Sequence, residues 1–359
     1  VGMQLSPAFS AEPCGCEVFS VRFSPDGAFL AASNAHGHVS VYNTTTGQEG
    51  YRLNRSGGQP MKQVVWRPEE ESASLRTRCM LVGASTDGLL RQWHVTSGKC
   101  LREFGSPEET GQLFCVDYSP DASRVVAGGM QELWVFDEET KKQAVHLKGG
   151  DSLTTAGHSS RVFAVRFSPA LGEPASVVSG GWDNSVQFWD LRVGHAVRQI
   201  YGPHICGDAL DVSADGRTLL TGSWRDKDAL ELWDFRSDKR LEAIPWRVSG
   251  SSEPSCLLYS ARFSRGGAEG PQCIAAGGSF SGPGGGEAKV LQPPAGGAGG
   301  WGARHCAGTL AHFTCLSADF TDRSALVALG GCDGRVHVLR TAAAGEGPGT
   351  EPPQAADAA

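Results

Sequence analysis

The stretch VVSGGWDNSVQFWDLR, residues 177–192, decides the fold of this chain. Two short apolar segments flank a Gly-Gly-Trp-Asp-Asn turn, and apolar and polar residues alternate through the second segment, SVQFW. Alternation with a period of two indicates a half-buried β-strand, and Gly, Asp and Asn are the residues that tight turns favour. The stretch therefore predicts a strand, a turn and a second strand.

This pattern is one copy of a repeat. The segment GHSSRVFAVRFSP precedes it at residues 157–169, and related blocks occur six more times. After each block come a small-residue apolar strand, a Gly/Asp turn, an alternating strand and a fourth segment, with no long helical pattern anywhere. The aligned aromatic or apolar positions recur at intervals of 43 to 57 residues: Phe23, Trp66, Tyr118, Phe167, Val212, Phe263 and Phe320.

These blocks, with Trp189-Asp190 and Trp233-Asp234 at the ends of two units, resemble the WD-repeat family. The resemblance covers roughly residues 14 to 340 and is most specific in the fourth and fifth units. It implies an all-β, single-domain, seven-bladed β-propeller of four-stranded antiparallel blades around a central channel. The N-terminal segment usually closes such a ring, so residues 3 to 9 would form the outer strand of the last blade, although they are only weakly strand-like.

The propeller is predicted to occupy residues 1–340. Its blade cores are expected at residues 16–43, 60–94, 112–137, 157–192, 204–236, 256–292 and 313–340. Residues 281–302 hold nine Gly and three Pro, which predicts a flexible Gly-rich loop inserted at 279–304 in blade six. Residues 341–359 lack large apolar side chains, so we expect a disordered tail.

Composition limits the function. A net charge of -7 argues against a general nucleic-acid binder, which presents a basic face to phosphates. No secretory signal and no stretch of about 20 apolar residues is visible, so we expect an intracellular protein that does not span a membrane. The cytoplasm is the expected location, with the cytoskeleton and the nucleus as alternatives. The eleven cysteines are scattered, mostly in apolar runs, and are expected to be free thiols in a reducing compartment.

The family resemblance places His158, Ser179, Asp183 and Trp189 of blade four in one hydrogen-bonded set. It implies that Asp183 accepts a hydrogen bond from His158 and holds the ring toward Ser179 and the Trp189 nitrogen. Such a network keeps strands in register because each buried polar group has a partner. His158 and Asp183 are therefore not a catalytic dyad, since a nucleophile and a third orienting group are missing.

No other segment predicts catalysis, a cofactor or a metal. SGPGGGEAK, at residues 281–289, lacks the Gly-Lys-Ser/Thr ending of a phosphate-binding loop, and no helix follows it. His305, Cys306, His312 and Cys315 are zinc-type ligands, but their spacing fits no common zinc module. We also expect no convergent set of titratable residues in the channel, and therefore no enzymatic activity.

The expected function is a protein–protein interaction scaffold, a subunit of a larger assembly that could be cytoskeletal, ciliary or chromatin-linked. Trp182 and Trp224 occupy equivalent turns of blades four and five, with Arg161 and Arg225 expected on the same face. These residue types dominate interface energetics, so the four are candidate partner-binding residues. The alternative is that each Trp only packs on its neighbouring blade.

A second function is substrate receptor of a cullin-type ubiquitin ligase. Such receptors carry a longer box that ends Trp-Asp-x-Arg and is read by a propeller adaptor. Residues 177–192 match this box, and a second copy, interrupted near residues 225–227, ends at residue 236. Ordinary blades produce the same ending, so the box does not decide the function by itself. The candidate adaptor-binding residues are Asp190, Arg192, Asp234 and Arg236.

Overall fold

Seven four-stranded antiparallel sheets follow one another around a ring, so the predicted fold class, a seven-bladed β-propeller, is confirmed. Within the described residues, the helical elements are a 3-10 turn at Val95–Ser97 and the short helix α1 (Pro107–Thr110). The structure is a computed structural model that describes residues 3–12, 15–54, 58–68, 79–150, 157–169, 176–247, 253–265, 273–282, 285–292, 306–321 and 325–343.

The first strand, β1 (Met3–Ala11), joins the last blade, and blade one begins with the second. Blade one contains β2 (Val18–Phe23), β3 (Phe29–Asn34), β4 (His38–Asn43) and β5 (Glu49–Asn54). Blade two contains β6 (Met61–Trp66), β7 (Met80–Ser85), β8 (Leu90–His94) and β9 (Lys99–Phe104). Blade three contains β10 (Cys115–Tyr118), β11 (Arg124–Gly128), β12 (Leu133–Asp137) and β13 (Gln143–Leu147).

The remaining blades keep the same order, with the first strand innermost. Blade four contains β14 (Val162–Phe167), β15 (Ser176–Gly181), β16 (Ser185–Asp190) and β17 (His195–Tyr201). Blade five contains β18 (Leu210–Val212), β19 (Thr218–Gly222), β20 (Leu230–Asp234) and β21 (Arg240–Ile244). Blade six contains β22 (Cys256–Phe263), β23 (Ile274–Phe280), β24 (Gly286–Leu291) and β25 (Cys306–Ala311). Blade seven contains β26 (Cys315–Phe320), β27 (Leu326–Gly331), β28 (Val336–Ala343) and β1.

The ring closes through β1, which pairs antiparallel with β28 from Met3 opposite Ala343 to Ala11 opposite Val336. The Phe9 side chain packs on a buried cluster built from blades seven and one. The closing strand thus extends two residues beyond the weakly strand-like residues 3 to 9. Residues 341–343 belong to β28 because β1 pairs with them, so the predicted disordered tail begins too early, and residues 344–359 lie outside the described residues.

Blade six also corrects the predicted loop at 279–304. Residues 279 and 280 end β23, and β24 lies wholly inside the loop range. The reason is the alternating segment Glu-Ala-Lys-Val-Leu, whose Ala288 and Val290 side chains are buried between blades six and seven. The surrounding Gly and Pro residues masked this strand in the composition. Residues 283–284 and 293–305 lie outside the described part of the chain.

Apolar side chains form buried clusters between neighbouring blades. Trp189 of blade four, for example, is fully buried and packs with Val126 and Leu133 of blade three. Phe188, its neighbour along β16, turns to the opposite side and packs with Leu210 and Leu219 of blade five. Each sheet therefore buries both faces against adjacent blades, and each blade depends on its neighbours for stability.

Candidate interaction surface

The hydrogen-bonded set of blade four runs from the core to the turn between β15 and β16. Trp189 Nε1 donates to Ser179 Oγ at 2.7 Å, and Ser179 Oγ lies 2.7 Å from His158 Nε2. The other nitrogen of the imidazole, His158 Nδ1, lies 2.9 Å from Asp183 Oδ2. Ser179 Oγ thus bridges the Trp189 nitrogen and His158 Nε2, and His158 Nδ1–H donates to the Asp183 carboxylate.

Asp183 ties this network to the turn. Its carboxylate also accepts hydrogen bonds from Ser159 N at 2.8 Å and Ser185 Oγ at 2.9 Å. Burial opposes ionisation of Asp183, but the hydrogen bond and charge interaction with His158, together with the Ser159 and Ser185 bonds, lower its pKa below the ordinary value. Asp183 is thus a charged acceptor that fixes a buried histidine, which is a structural arrangement.

A layer of charged side chains crosses the central channel, and its members share one register position. Each stands immediately before the aligned aromatic or apolar residue of a first strand, so Arg and Asp alternate around the ring except in blade two, where Val65 takes the place. Asp208 joins them from the loop before β18. This channel charge layer consists of Arg22, Asp117, Arg166, Asp208, Asp211, Arg262 and Asp319.

Asp208 is the hub of the channel charge layer. Both of its oxygens accept hydrogen bonds from guanidinium groups, one from Arg22 and one from Arg166, and Gln63 Nε2 donates to it at 2.9 Å. Burial opposes its charge, yet the Arg166 and Arg22 guanidinium groups hold the pKa of Asp208 well below the ordinary value. Burial and the nearby Arg166 charge lower the pKa of Arg262 to about 10.

Three aspartates of this layer also join neighbouring blades. Each accepts a hydrogen bond from a backbone N–H of the next blade at 2.9 to 3.0 Å: Asp117 from Phe167, Asp211 from Phe263 and Asp319 from Phe23. The expectation that no convergent set of titratable residues reaches the channel is therefore wrong. The alternation of Arg and Asp at one register position was the available signal, and these contacts give the layer a structural role.

Trp182 and Trp224 lie on one continuous surface, linked by a residue that sequence reasoning missed. His204, in the loop before β18, sits between them, with ring centroids 6.2 Å from each indole. The two indoles remain 43% and 39% exposed. Burial lowers the pKa of His204, which favours a neutral imidazole. We call Trp182, His204 and Trp224 the aromatic row.

The two arginines predicted beside this row behave differently. The Arg161 guanidinium lies 5.4 Å from the Trp182 ring centroid, in cation–π geometry. Arg225 instead pairs with Glu231 at 2.5 Å and donates to the backbone carbonyls of Asp228 and Gly202. Arg161 thus presents a cation beside Trp182 at the blade-four end of the row. At the blade-five end, Arg225 is held in an ion pair with Glu231.

The four residues of the Trp-Asp-x-Arg endings lie at the opposite end of the strands, because β16 and β20 run from the aromatic-row turns to Asp190 and Asp234. Arg192 is 70% exposed and pairs with Asp190 at 2.5 Å. Asp234 accepts hydrogen bonds from Ser237 N and Oγ, each at 2.7 Å, and Arg236 is exposed. Two exposed arginines of adjacent blades therefore lie on the face opposite the aromatic row.

The described residues contain neither a metal-type cluster nor a membrane-spanning helix. Within these residues, no group of three or more His, Cys, Asp or Glu side chains is placed to hold a metal ion. No described helix has the length and apolar composition needed to cross a membrane. Of the zinc-type ligands considered above, His305 lies outside the described residues.

Comparison with known proteins gives matches to repeat proteins. The family model described as "WD domain, G-beta repeat" matches residues 8–43 and 150–190, which contain the three inner strands of blades one and four. The chain is 22% identical over 257 residues to a guanine nucleotide-binding protein subunit beta of Zea mays, covering 69% of this chain and 63% of the relative.

Two further relatives are longer proteins. A periodic tryptophan protein 2 homolog of Dictyostelium discoideum is 25% identical over 182 residues, which is 50% of this chain and 18% of the relative. A U3 small nucleolar RNA-associated protein 21 homolog of Schizosaccharomyces pombe is 25% identical over 223 residues, 61% of this chain and 22% of the relative. The chain thus spans less than two thirds of the length of each of these three relatives.

Proposed function

The chain belongs to the WD-repeat family, and we propose that it is a non-enzymatic scaffold that binds a protein partner through the aromatic row. The observation that carries this proposal is two large indoles, 43% and 39% exposed, on adjacent blades of a rigid ring. Trp and Arg are among the residues most enriched at binding hot spots, so two partly exposed indoles on adjacent blades favour a binding surface.

The packing of the row supports binding over simple space filling. Trp182 meets Phe163 edge-on at 6.0 Å between centroids, and Trp224 Nε1 donates to Tyr259 Oη at 3.0 Å. These contacts fix the indoles in place while leaving much of each ring accessible. A preorganised aromatic surface loses little side-chain entropy when a partner covers it.

The test is affinity purification with mass spectrometry of wild type and of the Trp182→Ala/Trp224→Ala double variant. We expect the double variant to lose at least one partner while its melting temperature stays close to that of wild type. A matched control is Tyr201→Ala/Leu241→Ala, which removes two side chains, 76% and 57% exposed, from outer strands. If the double variant unfolds, or keeps every partner, the two tryptophans have only a packing role and the proposed binding surface is wrong.

Membership of a larger assembly is part of the proposal. Two relatives bear names that associate them with other components: one is a guanine nucleotide-binding protein subunit, and one is a small nucleolar RNA-associated protein. Size-exclusion chromatography of native extract would test this, because a subunit of a larger assembly elutes well ahead of the same protein purified alone. Elution of the whole population at the monomer position would contradict it.

We propose a cytoplasmic location inside the cell. Free thiols within the described residues suit a reducing compartment: Cys115, Cys206, Cys256, Cys273, Cys306, Cys315 and the exposed Cys332. A fluorescent fusion examined by microscopy tests this. A signal confined to the secretory pathway would contradict the proposal.

The second candidate function, substrate receptor of a cullin-type ligase, is favoured by the exposure of Arg192 and Arg236 on one face of adjacent blades. A propeller adaptor would contact these arginines without touching the aromatic row. We expect Arg192→Glu/Arg236→Glu to weaken adaptor recovery in a pull-down without unfolding the chain. Absence of the adaptor from a sensitive wild-type pull-down would remove this function and leave the first one intact.

A further inference from the structure

The innermost strands of five blades each contain a β-bulge at the same register position. The pairing of β2, β6, β14, β22 and β26 with the next strand shifts across a single residue in each case. A bulge leaves that residue outside the ladder and re-aims its side chain, and bulges are enriched beside functional sites. The bulged residues are Phe19, Lys62, Phe163, Tyr259 and Leu316.

All five bulged side chains line one cavity at the mouth of the channel. Its volume is about 200 Å³, several times the ~30 Å³ of a water molecule. Blades three and five complete the wall, so every blade contributes to it. The further lining residues are Gln63, Phe114, Cys206, Gly207 and Asp208. We call this cavity the bulge pocket.

The bulge pocket has apolar walls and a saturated polar floor. Phe19, Phe163, Tyr259 and Leu316 supply most of the wall, whereas Asp208 below them is fully engaged by the channel charge layer. The wall is closely built at blade five, where a Cβ on Gly207 would lie 2.4 Å from the Tyr259 carbonyl oxygen. Apolar walls above a neutralised floor suit one large apolar side chain.

The bulge pocket is continuous with the aromatic row and flanked by two cations. Phe163 contacts Trp182, and Trp224 bonds to Tyr259, so both ends of the row border the pocket. Lys62 Nζ lies 3.5 Å from the Phe19 ring centroid, and Arg161 stacks on Trp182. Among the described residues neither cation forms an ion pair, and burial lowers the pKa of Lys62 although Glu17 opposes this. A desolvated amine gains from an incoming anion.

We propose that the bulge pocket receives a large apolar side chain of an extended partner peptide, and that an acidic residue next to it in the peptide pairs with Lys62. This inference rests on the proposed function, since it names the segment of the partner that the scaffold recognises. The rest of the peptide then lies along the aromatic row, where Arg161 favours a second acidic group.

The experiment is selection of a phage-displayed library of random dodecapeptides on the folded chain. Wild type should select peptides in which Phe, Leu, Ile or Met stands beside Asp or Glu. Lys62→Glu should bind a selected peptide about tenfold or more weakly, because a close charge pair becomes a repulsion. The same peptide with Lys in place of its acidic residue should bind Lys62→Glu better than wild type.

Control variants separate the charge from the cavity. Lys62→Met keeps the aliphatic contact with Phe19 and should lose affinity for the acidic peptide without favouring the Lys peptide. Leu316→Trp fills the pocket and should weaken both peptides. Lys142→Glu carries the same charge reversal at an exposed turn of blade three and should change neither affinity. Circular dichroism melting of each variant confirms that it is folded.

The inference is overturned if folded wild type selects no peptides, if the selected peptides lack the acidic neighbour, or if Lys62→Glu binds them as wild type does. Its failure differs from failure of the proposed function. If the Trp182/Trp224 double variant loses a cellular partner that Lys62→Glu and Leu316→Trp retain, the scaffold stands and the pocket is wrong. If all variants retain every partner, both proposals fail.

Discussion

Replacing Asp183 by Ala measures what the hydrogen-bonded network contributes to blade four. The Asp183 side chain is 5% exposed, and it holds His158, whose side chain is fully buried. Without the carboxylate the His158 Nδ1 donor keeps only a long contact, 3.4 Å, with Ser185 Oγ. A buried donor that loses its good acceptor costs about 1–3 kcal/mol. The Ser159 N–H lies near the surface and can bond to water instead. We therefore expect the free energy of unfolding to fall by about 2 kcal/mol.

The assay is urea denaturation followed by far-ultraviolet circular dichroism, with Asp121→Ala as the matched control. Asp121 also accepts several hydrogen bonds, from Ser119 Oγ and from Ser123 N and Oγ, but it lies in an exposed turn. Its donors reach water, so its loss should cost about 0.5 kcal/mol or less. Equal shifts of the two urea midpoints would refute the argument that burial of the network sets the cost.

The contribution of Asp183 to stability should also depend on pH, and Asp183→Asn measures this dependence. Although burial opposes its ionisation, the contacts with His158, Ser159 and Ser185 lower the pKa of Asp183 in the folded chain. A lowered folded-state pKa stabilises the protein above the unfolded value of about 3.9, and this contribution is lost as the pH falls through the folded pKa. The stability gap between wild type and Asp183→Asn should therefore narrow below about pH 4. A gap that is constant from pH 7 to pH 3.5 would contradict this reasoning.

Three further outcomes are expected. Asp208→Asn removes the charge that balances two buried guanidinium groups and should lower the free energy of unfolding by about 3–5 kcal/mol in urea titrations; a change below 1 kcal/mol would show that the channel charge layer is not needed. Deleting residues 1–11 exposes the edge of β28 and should cause self-association visible by light scattering, whereas a monomeric product would show that closure is dispensable. Burial raises the pKa of Cys206 to about 12, so iodoacetamide at pH 7.5 should label it far more slowly than a free thiol of pKa about 8.5.

Local sequence patterns were enough to predict most of the fold. The strand–turn–strand stretch at residues 177–192 and its repeats contain the periodicity and turn residues of each blade, so the architecture follows from the sequence alone. The closing strand was harder to see, because MQLSPAFSA becomes a strand through its pairing with β28 and its contacts with blades seven and one. Likewise, the segment around Ala288 is a strand because two blades bury it, despite its Gly-rich surroundings.

The candidate surface was partly predictable. Trp182, Trp224 and Arg161 were found from their places in aligned turns, but His204 lies in a loop whose path no local pattern describes. The residue four positions before each aligned aromatic is often large and apolar, as Phe19 and Tyr259 are, and that could have been read from the alignment. Its direction into the channel mouth depends on the β-bulge, which is a property of the pairing between strands.

Ring closure has a consequence for synthesis. Met3 and Ala343 pair although about 340 residues separate them, so β1 finds its partner only after all seven blades have left the ribosome. Until then the apolar flank of blade one, including Val18 and Val21, has no covering from blade seven. Contacts between such distant segments form slowly, and a nascent chain with uncovered apolar surface is prone to aggregate. We therefore expect the nascent propeller to need protection from aggregation until blade seven has been translated.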